Sequence, residues 1–153
     1  MSRPWQVVRY PHHLAARFFT SLSSAPPDPA EEAWAMSMLL PGEQALWVRM
    51  TNQDRRHSAK VARRFEGVRR TASRAEMAGA LLHDVGKLEC GLGTWGRVAA
   101  SLLGRRTARF RAYHDHEWIG ALLAADAGSE YETVELIAER GPAYATLREC
   151  DSA

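Results

Sequence analysis

Apolar residues recur along this chain three and four positions apart, and no stretch shows the period-2 alternation of β-branched residues that marks a strand. The pattern predicts an all-α protein. Trp5, Val8, Leu14, Phe18 and Phe19 mark a first short helix, broken or started near Pro11. Residues 21–29 (SLSSAPPDP) read as a loop, because proline removes a donor and restricts the residue before it. Asp28-Pro29 then opens a helix through about Leu40, with aspartate as cap, proline in the first turn, and Glu31 and Glu32 facing the positive helix end. Pro41 starts another, through Trp47 to Met50. Asn52 or Asp54 caps the next, which carries His57 and sets Val61, Ala62 and Phe65 on one face. Ser73 caps a helix ending at His83-Asp84. Thr94 caps one through Leu103, stopped by Gly104. A helix from about Ala108 to Ala125 carries His114 and His116, with Ile119, Leu122 and Leu123 as its apolar positions, and ends at Gly128. Glu130 to Arg140 forms another, stopped by Gly141, and Pro142 starts the last, which reaches Asp151. No internal repeat is present.

One place breaks the apolar pattern. In AGALLHDVGK, residues 78–87, a histidine and an aspartate stand side by side at the end of an apolar run. Neither side chain is cheap to bury without a partner. Neighbours on a helix diverge by about 100°, yet both reach a cation lying between their two directions. Gly86 reads as a helix stop, since glycine accepts positive φ. The pair is therefore expected on the last turn of a buried helix, facing a cavity.

Composition narrows the picture without deciding it. The 153 residues suit one domain, and 46% hydrophobic with 25% charged residues is enough for a core. A net charge of +2 is too mild to argue for nucleic acid and is compatible with an anionic small substrate. Cys90 and Cys150 lack metal-type spacing and read as reduced thiols. No apolar run reaches membrane-span length, and the N-terminal segment lacks a signal-peptide core, so a cytoplasmic protein with no membrane partner is expected.

Placed on these helices, His57, His83, Asp84 and Asp151 are the candidate metal ligands. Helical bundles build metal sites from inward side chains of facing helices. Two imidazoles and two carboxylates suit manganese, iron, cobalt, nickel or zinc.

The order His57, His83-Asp84, Asp151, with RRHSAKVA, AEMAGALLHDVGKL and HEWIGALLA around it, resembles the HD-domain superfamily of metal-dependent phosphohydrolases. The resemblance runs from about Asn52 to Asp151. It implies an HD-domain-like helical bundle over 52–153, with 1–51 as an N-terminal helical extension packed on the core. Two-metal members usually carry a histidine after the helix that follows HEWIGALLA. This chain has Glu139-Arg140-Gly141 there, and arginine cannot ligate, so the resemblance implies one divalent transition metal rather than two.

The implied reaction is hydrolysis of a phosphoester, a nucleotide or similar compound, by a metal-activated water. Asp84 would orient or deprotonate that water. Lys87 and His116 are the further catalytic and substrate-binding candidates, His116 as proton donor to the leaving oxygen. Arg140 could supply a lost metal's charge as a bidentate fork.

Plainer readings stand beside these. Lys87 could neutralise a helix end, His116 could be a core or surface histidine, and Asp151 could be an exposed tail acid. His12, His13 and His114 read as structural or solvent-facing. The arginines at 63, 64, 69, 70, 74, 105, 106, 109 and 111 are either solvated faces or a phosphate-steering surface. Residues 91–113 read as a lid, with Trp95 stacking a base, or as a packing helix and basic turn. The competing function is a non-catalytic HD domain that binds a nucleotide or protein partner as sensor or scaffold.

Overall fold

The structure is a computed structural model and describes residues 23–90 and 115–153. The expectations for Trp5 to Leu22, for His12 and His13, for the 91–113 segment with Trp95, for His114 and for Arg105, Arg106, Arg109 and Arg111 lie outside the described residues. Within them the fold is all helical: α1 (Pro29–Ser37), α2 (Pro41–Arg49), α3 (Asn52–Val68), α4 (Arg74–Leu82), a 3-10 segment (Val85–Cys90), α5 (His116–Asp126), α6 (Tyr131–Ile137) and α7 (Tyr144–Ser152).

The starts follow local chemistry. The Asp28 carboxylate accepts the Ala30 N–H at 2.9 Å with Pro29 in the first turn. Glu43 reaches back to accept the Leu40 N–H at 2.7 Å. Ser73 and Glu76 form a reciprocal capping box. The cap of α3 differs from expectation: Thr51 accepts from the Asp54 N–H and donates to its carboxylate, so Asn52 is already helical.

α4 is the axis of the molecule. Ala75 and Met77 through Leu82 are all buried, which makes α4 apolar on every side. It packs between α3 and α6, while α5 lies against α6 and the 3-10 segment and α7 closes on α3. Small residues set the spacing. A Cβ at Gly79 would stand 2.9 Å from Leu136 Cδ2. α1 and α2 join the same core through Ala35, Leu39, Leu46 and Trp47, which cluster with Val61 and Phe65.

Several buried polar groups tie the helices together. Thr133 donates to the Ala75 carbonyl at 2.8 Å, and Trp47 Nε1 donates to Glu32 at 3.1 Å. Arg74 ties Glu43, at 3.1 Å, to Glu130, joining α2, α4 and the start of α6.

Two expectations change at the dyad. α4 ends at Leu82, so His83 is its C-cap and Asp84 lies beyond it. Gly86 does not adopt positive φ, a conformation found instead at Gly128, Gly141 and Glu139. Gly86 is needed for close approach: a Cβ there would overlap the His116 carbonyl oxygen, and the Gly86 nitrogen lies 3.0 Å from where a Gly120 Cβ would stand.

Gly86→Ala is therefore expected to cost about 1–3 kcal/mol or more by overpacking. Gly67→Ala, at an open helical position in α3, is expected to gain roughly 0.5–1 kcal/mol. Urea unfolding of both variants checks this, and a neutral Gly86→Ala would contradict the packing argument.

Candidate metal centre and pocket

Five elements converge on one pocket. α3 delivers His57, the end of α4 His83 and Asp84, the 3-10 segment Lys87, the start of α5 His116, and α7 Asp151. One ligating atom from each of His57, His83 and Asp151 lies within 4.8 Å of the other two. His57 Nε2 is 2.7 Å from Asp151 Oδ1, and His83 Nε2 is 3.6 Å from the same oxygen. The two imidazole centroids stand 5.7 Å apart. Ligands bonded to one cation at 2.0–2.2 Å sit about 3–4 Å from each other, so the cluster is near the size of a coordination shell, with His57 and Asp151 closed to hydrogen-bond distance.

His83 carries the decisive detail. Its Nδ1 donates to the Ala80 carbonyl at 2.8 Å, which leaves Nε2 with the lone pair in the neutral ring. That Nε2 is buried and meets no hydrogen-bond partner. Backbone-fixed imidazole with a bare, inward nitrogen is the arrangement expected of a metal-ligating histidine. The donor set fits a divalent transition metal.

Asp84 is buried beside this triad. Its Oδ2 lies 3.7 Å from His83 Nε2 and accepts from Lys87 Nζ at 2.5 Å, while Oδ1 lies 3.3 Å from His116 Nε2. Burial opposes its charge, but Lys87, His83 and His116 together hold the carboxyl well below its usual range. The same pairings act on the imidazoles. Burial pushes His83 down, and Asp84 and Asp151 outweigh it and raise the ring above its ordinary value. Burial likewise opposes His116, which Asp84 raises. The His57 and His83 rings keep Asp151 strongly ionised against partial burial.

Arg140 is not brought to the pocket. Its guanidinium forms a fork on Glu135 at 2.7 and 3.1 Å and is half-exposed. Glu139 lines the pocket instead. The chain leaves α6 through Glu139 at φ 62° and Gly141 at φ 84°, a turn that carries Arg140 away. Four of the five described arginines read from sequence as a solvated or steering face make structural contacts. Arg63 pairs with Glu31 and Glu66 over the Trp34 ring, Arg69 pairs with Glu76, Arg74 with Glu43 and Glu130, and Arg64 donates to the Cys150 and Ala153 carbonyls. Nothing in the structure gives Arg70 a role.

Four polar lining residues were not among the sequence candidates: Glu117, Glu139, Tyr144 and Arg148. Tyr144 and Arg148 precede Asp151 by seven and three residues, so helical spacing from Asp151 could have found them. Glu139 gave no such signal, because its position depends on a left-handed backbone at a non-glycine residue.

No family model, no curated protein and no solved structure matches this chain. Among the described residues, no helix is long and apolar enough to cross a membrane.

The cluster predicts opposite pH responses with and without metal. Raised histidines contribute stability that is present below their unfolded value, about 6.5, and is lost as pH rises through the folded value. Asp84 and Asp151, held low, stay ionised throughout this window and add no slope. Chelator-treated protein is thus expected to lose stability from about pH 6 to about pH 8. Protein loaded with Zn²⁺ or Mn²⁺ is expected to gain it, because only deprotonated imidazoles ligate. Urea midpoints at both pH values read the two slopes, and parallel slopes would refute the assignment.

Proposed function

We propose that this chain is an HD-type, metal-dependent phosphohydrolase acting on a nucleotide or similar phosphoester, with one divalent transition metal. The observation that carries this reading is the buried Nε2 of His83, which makes no close hydrogen bond and faces His57 and Asp151. His57, His83 and Asp151 would hold the cation, with Asp84 as the fourth ligand beside them. A cation so held supplies an activated water and polarises a phosphoryl oxygen.

The neighbouring residues support hydrolysis over simple metal storage. Lys87 brings a positive charge to the wall beside Asp84, where charge building on a phosphoryl group needs support. His116 lines the pocket with Nε2 3.3 Å from Asp84 Oδ1, and Asp84 outweighs burial and raises its ring, which favours the imidazolium form that a proton donor to a leaving alcohol oxygen needs. Asp84 holds both groups in place: one carboxylate oxygen faces Lys87 and the other His116. Arg140 has no part in this reading, since its charge is spent on Glu135.

The test separates metal binding from chemistry. Protein purified without added metal is expected to carry about one transition-metal ion per chain by elemental analysis, in keeping with a single shell of this donor type. Asp151→Ala is expected to lose the metal. His116→Gln is expected to keep it and to lower kcat by about 10²–10⁴-fold on a phosphomonoester panel, the usual worth of a general acid. Metal-loaded protein without turnover on a broad nucleotide panel would sink the enzymatic reading and favour a binding domain.

A further inference from the structure

Besides its histidines, the pocket lining holds two cationic side chains, Lys87 and Arg148, among the carboxylates of Asp84, Glu117, Glu139 and Asp151. In such mixed surroundings an entering phosphate is attracted most by a cation whose charge is not already matched. Lys87 is matched: its Nζ lies 2.5 Å from Asp84 Oδ2, and at a distance that pair is close to neutral. His116 faces the other Asp84 oxygen at 3.3 Å and stands 4.0 Å from Glu117. Arg148 differs. It lines the pocket from α7, and its guanidinium makes no hydrogen bond or ion pair among the described residues. Its charge is felt at the Tyr144 phenol one turn earlier, without a bond between them.

A guanidinium left open is unusual in this molecule. Arg55, Arg63, Arg69, Arg74 and Arg140 each hold a glutamate, and Arg64 holds two backbone carbonyls. Nor does Arg148 serve its own helix end, because the last turn of α7 holds no basic residue. Arg148 precedes Asp151 by three residues, so the two share a face of α7 with Cβ atoms about 5–6 Å apart. An arginine side chain is long enough to reach across that interval to the space where Asp151 meets His57 and His83.

We propose that Arg148 is the phosphate-binding arginine of this pocket, its guanidinium forking onto two oxygens of a phosphoryl group beside His57, His83 and Asp151. This inference rests on the phosphohydrolase reading and names the residue that captures its substrate. Planar, bidentate recognition of phosphate is what arginine offers and lysine does not. Lys87 stays with Asp84, where charge develops during reaction, and Arg148 meets the anion on arrival. The fork expected of Arg140, closed on Glu135, is supplied instead from α7.

The experiment compares Mn²⁺-loaded wild type with Arg148→Gln, Arg148→Lys and Arg70→Gln. Arg70 is exposed and outside the pocket lining, so its variant controls for loss of one positive charge. Calorimetry with phenylphosphonate, which cannot be hydrolysed, gives Kd without turnover, and p-nitrophenyl phosphate gives kcat and KM. Elemental analysis and urea midpoints are expected to be the same in all four proteins, since Arg148 makes no contact whose loss would unsettle the fold. Arg148→Gln is expected to raise the phenylphosphonate Kd about tenfold or more, the usual worth of hydrogen bonds between charged groups. Arg148→Lys is expected to restore only part of that loss, and Arg70→Gln to leave Kd unchanged. KM is expected to follow Kd, with a smaller change in kcat. Phenylphosphonate that fails to bind wild type, an unchanged Kd in Arg148→Gln, or an equal rise in Arg70→Gln overturns the assignment even where hydrolysis is robust. Metal lost from Arg148→Gln overturns it too, by placing the effect on the cation. Arg148-dependent binding without turnover of p-nitrophenyl phosphate or any nucleotide sustains the assignment and defeats the catalytic reading.

Discussion

Everything in the pocket depends on burying His83 and Asp84 at the end of a helix that is apolar on all sides. Two polar side chains in that position carry a desolvation cost that only specific partners can offset. Asp84 finds them in Lys87 and His116, and His83 finds one in the Ala80 carbonyl. Supplying those partners constrains the surrounding chain. The 3-10 segment returns Lys87 to Asp84 within three residues, and the hydrogen at Gly86 lets α5 begin close enough for His116 to arrive.

The electrostatic accounting of the cluster explains why a cation suits it. Asp84 is satisfied on both oxygens, and Asp151 is bonded by His57. What remains is the single buried nitrogen of His83, a lone pair with no proton donor to meet it. In the absence of metal, Asp84 and Asp151 favour a proton on that nitrogen against the cost of burial, which is why the His83 ring is raised. Proton and metal compete for one nitrogen, and the carboxylates around it favour either form of positive charge.

Charge elsewhere in the molecule is spent on architecture. The arginines of α3 and α4 join helices through Glu31, Glu66, Glu76, Glu43 and Glu130. Such side chains read as a basic patch in sequence, because their acidic partners lie up to 56 residues away. Arg140 misleads for a related reason. Its place in the chain suggests the pocket, but the left-handed turn at Glu139 sends it to Glu135 and brings the glutamate inward.

The sequence by itself determined the helical fold, most helix starts and the principal members of the site. Those properties are local: a cap, a proline in the first turn, an apolar spacing of three and four, and a polar dyad where burial demands partners. His57, His83 and Asp151 were named from the burial cost of the dyad and from the order of motifs along the chain, and the structure brings them together. Tertiary structure alone decided how they combine. It set Asp84 on Lys87 and His116, placed Glu139 rather than Arg140 in the pocket lining, and brought Glu117, Tyr144 and Arg148 to the same wall. Those outcomes depend on close backbone approach at Gly86 and on a positive φ at a glutamate, two features decided by three-dimensional packing rather than by residue spacing.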